Sequence, residues 1–288
     1  MVSNPLSSEA PAMTTTLLPA LLRTAARNVG QGATSVALFE TATVTLPRSS
    51  DPAPILPVDR RPSDAELDSL LKALPDQPLH LGLVATGQAT RSGWWGEGRP
   101  VEWSDAVEGA RAVADALGLE LEVTAASLAP WHPGRCAELW LAGDGQRTLV
   151  GHAGELHPRV CTTLGLPPRS VAAEVDLEPL LERAVHLRPA RIFSSYPVAK
   201  EDVALVVDAD VPAAAVEAAL REGAGELLES VELFDVYTGA QVGAGKKSLA
   251  YALRFRAPDR TLKEGEATAA RDAAVARAAE VTGAVQRT

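Results

Sequence analysis

The residues best equipped for chemistry lie near the end of the chain. Gly239-Ala-Gln-Val-Gly-Ala-Gly-Lys-Lys-Ser248 offers glycines, then two lysines, then a hydroxyl. A phosphate-binding Walker loop needs Gly-x-x-x-x-Gly-Lys-[Ser/Thr] between a strand and a helix, so that backbone N–H groups and the positive helix end cradle the phosphates. Here Ala240 stands where the first glycine belongs, and Lys247 delays the hydroxyl by one place. The following Leu249-Ala-Tyr-Ala-Leu-Arg-Phe-Arg256 alternates with a period of two, which signals a strand. The preceding Val231-Glu-Leu-Phe-Asp-Val-Tyr237 is rich in β-branched and aromatic residues, as strands are. The spacing therefore predicts a Gly-rich hairpin, and nucleotide hydrolysis through the Gly-Lys-Lys loop is the lesser reading.

The flanks of that hairpin suggest a different chemistry. Single-stranded RNA loops are read by stacking unpaired bases on aromatic rings and by hydrogen bonds to base edges. Asp235 and Tyr237 are two apart and share a strand face, and Ser248 starts the next strand beside them. Ser248, Ala250, Ala252, Arg254 and Arg256 fall on one face, while Leu249, Tyr251, Leu253 and Phe255 fall on the other. That gives small residues where bases could lie and arginines where phosphates could lie. Between Lys246 and Lys263 there are six cations, Lys246, Lys247, Arg254, Arg256, Arg260 and Lys263, opposed in that stretch only by Asp259. Such a stripe fits a local RNA contact or a solvated strand face. Tyr237, likewise, either stacks on a base or packs under the loop. The pattern also contains a conflict. Val231 and Leu233 alternate onto the face of Asp235 and Tyr237, unless a β-bulge near Leu233–Phe234 intervenes and turns Phe234 and Val236 to the core.

His132, Cys136, His152, His157 and Cys161 could be read as a metal site, but zinc sites favour compact ligand pairs and this spacing has none. Pro130-Trp-His-Pro-Gly-Arg-Cys-Ala137 reads better as a rigid loop packed on the core or on a partner. No nucleophile–base pair or carboxylate pair stands out, so no catalytic residue and no metal ligand is assigned.

The elements that must position these residues follow from periodicity and punctuation. In the first part of the chain, helices are expected over Leu17–Arg27, from a Ser63–Glu66 capping box to a stop before Pro75, and from a Ser104 cap to Gly118. Strands are expected over Val36–Glu40, Val44–Leu46, Leu79–Thr86, Glu138–Ala142, Thr148–Gly151 and Val171–Val175, with a turn at Gly143–Gln146. The last hundred residues read as a strand at Val203–Val207 and a helix over Pro212–Glu222 with Gly223 after its end. The hairpin follows, then a helix from a Thr261–Glu264 capping box to about Val281, and a short strand at Ala284–Arg287. That order, βαββαβ, is a ferredoxin-like sandwich with one open sheet face. The fold class is α+β, and the boundary is expected in the Pro-bearing stretch 186–197.

Composition sets the frame. A chain of 288 residues is long enough for two domains, and it lacks an apolar run of membrane-spanning length. Two cysteines and no signal-like start point to the cytoplasm. A net charge of −10 argues against general nucleic-acid binding, DNA included, because phosphate neutralisation dominates such affinity.

Residues 194–288 strongly resemble the ferredoxin-fold anticodon-binding domain of the bacterial phenylalanine–tRNA ligase beta subunit. The resemblance rests on Tyr196-Pro197, Asp202-Val-Ala-Leu205, Leu233-Phe-Asp-Val-Tyr-Thr-Gly239, Gly245-Lys-Lys-Ser-Leu-Ala250 and Phe255-Arg-Ala-Pro-Asp-Arg-Thr-Leu262. Residues 1–187 resemble the catalytically inactive class II synthetase-like core before it, through Asn4-Pro-Leu-Ser7, Leu17-Leu-Pro-Ala-Leu-Leu22, Leu38-Phe-Glu40, Pro130–Ala137 and Gly151-His-Ala-Gly-Glu-Leu-His-Pro158. Thr14 stands where the family carries an arginine, which removes any charged contact there. The resemblance implies a C-terminal piece of a longer, non-catalytic subunit. It matches Asp235, Tyr237 and Ser248 to anticodon contacts, with Lys246, Lys247, Arg254 and Arg256 beside them. It further implies an alpha-subunit partner in a two-alpha, two-beta assembly, tRNA(Phe) as ligand, and ATP and Mg2+ for the holoenzyme but no cofactor on this chain. The competing expectation is a stand-alone RNA-binding or regulatory module.

Overall fold

A computed structural model describes residues 4–6, 8, 11–49, 52–143, 146–185, 187, 194–263 and 265–287. The chain forms two compact units, Met1–Arg188 and Pro189–Thr288. Each hydrophobic core draws its residues from one unit.

The first unit is built on an antiparallel sheet of six strands. They are β1 (Val36–Thr43), β2 (Leu79–Thr86), β5 (Leu121–Ala126), β6 (Trp131–Gly143), β7 (Gln146–Leu156) and β8 (Val171–Asp176), in the order β1-β2-β8-β7-β6-β5. A small ribbon, β3 (Gln88–Thr90) with β4 (Arg99–Pro100), stands apart. The period-two pattern of the central strands sends apolar side chains to both faces. Val171, Ala173 and Val175 of β8 join Ala106, Val107, Ala110 and Ala114 of α3 (Trp103–Ala116) in one core. Ala172, between them, joins Leu18, Leu21, Leu22 and Ala25 of α1 (Leu18–Gly30) in the other. The remaining helices, α2 (Asp64–Ala73), α4 (Pro158–Leu164) and α5 (Glu178–Glu182), are short.

Several boundaries differ from expectation for identifiable reasons. Helix α3 is capped from Glu102, not Ser104, because Asp105 accepts the Glu102 backbone N–H at 2.8 Å. Pro130–Ala137 is no loop: Trp131 opens β6, with irregular pairing between Trp131 and Cys136 that accommodates Pro133 and Gly134. The Trp131 side chain is buried, and its indole N–H donates to the Ala172 carbonyl at 3.1 Å. Val44–Leu46 forms no strand; its backbone N–H groups donate to the Pro78, Thr14 and Asp76 carbonyls, the last as an isolated bridge. The Ser63–Glu66 capping box is present as read.

The second unit has the order β9 (Ala199–Asp208), α6 (Ala213–Ala224), β10 (Leu228–Tyr237), β11 (Lys246–Phe255), α7 (Glu266–Thr282), β12 (Val285–Gln286). Its four strands are all antiparallel, in the order β10-β11-β9-β12. Both helices cover one face. Val203, Leu205 and Val207 of β9 and Leu249, Tyr251, Leu253 and Phe255 of β11 pack there against Val216, Leu220, Ala274 and Ala278. Helix α6 runs through Gly223 rather than stopping before it. A Cβ at Gly223 would sit 2.6 Å from that of Arg277 and 2.7 Å from the Ala273 carbonyl, so the glycine lets α6 and α7 approach closely. Glu264 of the expected second capping box lies outside the described residues. In its place Glu266 accepts the Lys263 backbone N–H at 2.5 Å.

Candidate RNA interface

Strand β10 decides which side chains reach the open face. Its ladder with β11 runs Val231↔Leu253, Glu232↔Ala252, Leu233↔Tyr251, then skips Phe234 and resumes Asp235↔Ala250, Val236↔Leu249, Tyr237↔Ser248. The skip is the expected bulge. It keeps Val231 and Leu233 with the core while Asp235 and Tyr237 turn to the uncovered side. Phe234 and Val236 do not enter the core as expected: they are 57% and 53% exposed. Phe234 is the unpaired residue of the bulge, and Val236, opposite core-facing Leu249, lies exposed near the strand end.

Tyr237 and Ser248 face each other across the last rung before the loop. Tyr237 is 36% exposed, whereas Ser248 is only 5% exposed. The loop between them is folded, not slack. Ala240–Val242 forms a 3-10 turn that buries Val242, and Gly243 and Gly245 take φ of 90° and 73°, which suit glycine. Lys246 opens a strand rather than a helix, so the loop lacks the strand–loop–helix geometry of a nucleotide-binding Walker motif.

Five of the six cations of the stripe are already partnered. Lys246 lies opposite Asp208 and bonds its carboxylate at 2.7 Å. Arg254 reaches Asp202 at 3.3 Å. Arg256, just past the strand, bonds Glu229 at 3.2 Å and the Ser194 carbonyl at 2.6 Å. Arg260 pairs with Glu266. Lys247 pairs in register with core-facing Val207 and donates to the Ala209 carbonyl at 2.9 Å, so it belongs to the other side of the sheet. The open face thus brings together Asp235, Tyr237, Ser248, Lys246 and Arg254, but not Lys247. The carboxylates that meet Lys246, Arg254 and Arg256 come from β9 and β10, distant in sequence, which is why Asp259 looked like the only opposing charge.

Two residues that sequence reasoning missed join this face. Arg287 follows β12, and its backbone N–H donates to the Ala204 carbonyl of β9 at 2.8 Å. Its guanidinium lies 5.9 Å from the Tyr237 ring centroid and donates to Gln241 Oε1 at 2.9 Å. With strands roughly 4.8 Å apart, the two backbones are separated by about 14 Å, a span that long side chains cross over the small Ala204 and Ala250. The available signal was the βαββαβ order, which lays the final strand beside the first.

Amino-acid comparison places this geometry in a lineage. The model of the phenylalanyl tRNA synthetase beta chain CLM domain matches residues 1–177, more than half of the chain. The chain belongs to the phenylalanyl-tRNA synthetase beta-chain family. The ferredoxin-fold anticodon binding domain matches residues 194–287, the second unit of this beta-chain family member. Over 288 residues the chain is 58% identical to the phenylalanine–tRNA ligase beta subunit of Thermobifida fusca, covering 99% of this chain and 34% of that protein. The corresponding subunits of Streptomyces avermitilis and Nocardia farcinica are 58% and 53% identical, again over 34% of their length. The chain therefore spans about a third of the relatives it matches.

The family's His- and Cys-bearing stretches do structural work in the first unit. His152 stacks on Trp131 at 5.5 Å, and burial pushes its pKa down. Cys136 and Cys161 are buried free thiols whose pKa values burial pushes up. His132 and His157 stack on each other at 6.5 Å, and each accepts a backbone N–H two residues ahead through Nδ1. Among the described residues no group of three or more His, Cys, Asp or Glu could hold a metal, and no helix is long and apolar enough to cross a membrane. Near the start of the family core, Glu174 binds the Thr16 hydroxyl, the Leu17 N–H at 3.1 Å and His80 at 2.8 Å. Burial opposes its ionisation, but these donors outweigh burial and hold the carboxyl below its usual range.

Proposed function

We propose that this chain is part of a phenylalanine–tRNA ligase beta subunit that holds the anticodon stem-loop of tRNA(Phe) on the open face of its second unit. The observation that carries the reading is the Tyr237↔Ser248 rung, with Asp235 two residues back on the same face, inside a domain whose family is named for anticodon binding. Tyr237 supplies a half-exposed ring for an unpaired base. The Asp235 carboxylate can accept from a base N–H, which suits a guanine edge. Lys246 and Arg254 can trade exposed carboxylate partners for RNA phosphates at little cost, because surface ion pairs contribute little. The first unit docks on the ligase alpha subunit, where phenylalanine is activated with ATP and Mg2+ and passed to tRNA. This chain supplies binding and no catalytic group. An assembly of two alpha and two beta subunits in the cytoplasm completes the reading.

The test is titration of tRNA(Phe) against wild-type and Tyr237→Ala protein. Losing the stacked base should cost about 1–3 kcal/mol of binding. Unchanged affinity would sink the assignment of the open face.

A further inference from the structure

Arg287 is a cation of the open face that lies outside the Lys246–Lys263 stretch. Lys246, Arg254 and Arg256 are each held by a carboxylate. Among the described residues Arg287 is held by none. Its guanidinium meets a neutral amide, Gln241, and a π face, Tyr237. Both partners are themselves fixed. Gln241 sits in a 3-10 turn pinned by buried Val242. The Tyr237 phenol fills the space that a Cβ on Gly239 would take, 2.5 Å from the hydroxyl oxygen. The Arg287 backbone is tied to β9 through Ala204.

We propose that Arg287 is the second jaw of the base-binding site, closing on the far side of the base that stacks on Tyr237. The inference rests on the anticodon reading of this face and adds a residue to it. A guanidinium plane stacks on nucleobases as an aromatic ring does, and it supplies positive charge to the π face. A base between two planes needs about 7 Å, twice a stacking separation of roughly 3.5 Å. The present 5.9 Å is short of that by about 1 Å, so Arg287 holds the place of the base when RNA is absent and opens slightly to admit it. An amide partner makes this opening cheap, since no ion pair is broken. Ala204 and Ala250 form the floor along the Arg287 row, and Ser248 and Val206 form it along the Tyr237 row.

The experiment uses the full chain and a synthetic anticodon stem-loop of tRNA(Phe), with the wild type, Tyr237→Ala, Arg287→Ala, Arg287→Lys and the Tyr237→Ala/Arg287→Ala double variant. Thermal melts confirm folding, and the Arg287 N–H···O bond to Ala204 survives every substitution. Arg287→Ala should weaken binding roughly five- to thirtyfold. Arg287→Lys should weaken it nearly as much, because a point charge does not stack. The double variant should bind no more weakly than the worse single variant by more than about twofold, since one base joins both jaws. Unchanged or tighter binding by Arg287→Ala, full rescue by lysine, or losses that multiply would overturn the proposal while leaving Tyr237 in place. A wild-type chain that ignores the stem-loop would overturn the anticodon reading and this inference together.

Discussion

At the residue scale, the site depends on where small side chains permit large ones. Gly239 shows this most directly. Its φ of −177° is extended backbone that any residue adopts, so its need for glycine is steric. An added Cβ would lie 2.5 Å from the Tyr237 hydroxyl and 2.7 Å from Cζ of its ring. Gly239→Ala should therefore displace the ring and weaken stem-loop binding severalfold. The melting midpoint should hardly move, since surface changes typically stay within about 0.5 kcal/mol. Anisotropy titration beside a thermal melt checks both, and a destabilised protein with intact binding would contradict the steric argument. Asp235, Tyr237 and Ser248 were legible in the sequence because period-two alternation and a glycine loop are local. Arg287 was not, because it is distant from Tyr237 in sequence, and Gln241, though in the loop, joins the site only through Arg287. The burial of Ser248 was equally hidden, since neighbours on β10 and β9 decide it.

At the element scale, one device recurs at three helix starts. Arg60, Arg99 and Arg260 each clasp a carboxylate six residues on, Glu66, Asp105 and Glu266. That carboxylate also accepts the backbone N–H three residues back, from Ser63, Glu102 or Lys263. The arginine makes the acid a better acceptor, and the acid satisfies an amide that the helix leaves unpaired. The carboxyls of Glu66 and Glu266 are lowered to about 2, by the arginine first and the backbone N–H next. A depressed folded-state pKa contributes stability above the unfolded value of 4.5, which is lost as the pH falls towards 2. The Ser63 and Lys263 amides should then lose hydrogen-exchange protection, relative to intrinsic rates, between pH 4.5 and 2. Protection that persists to pH 2 would show that other groups cap these helices. Sequence found the Ser63 box because serine is a familiar cap, and missed the others because glutamate and lysine are not. The β10 bulge was legible for a different reason: two apolar and two polar residues claimed the same face, and only an extra residue could separate them.

At the scale of the whole molecule, fold class was legible because each unit repeats a local pattern, a sheet with apolar alternation and helices with one apolar side. The electrostatics of the open face were not, because Asp202, Asp208 and Glu229 meet their cations only after β9, β10 and β11 are assembled. With a net charge of −10 and these cations occupied, the chain should bind a random DNA duplex weakly and with a shallow dependence on salt. Tight, steeply salt-sensitive duplex binding would mean that the ion pairs do not hold in solution. Those pairs have a consequence for how the surface behaves in a cell crowded with polyanions. Each carboxylate imitates a phosphate, so the face is already loaded with a weak copy of its own ligand. A passing nucleic acid must outcompete that copy at Lys246, Arg254 and Arg256, and charge alone gives it little advantage in doing so. An RNA loop that also offers a base to Tyr237 brings something the imitation lacks, and admission is decided there.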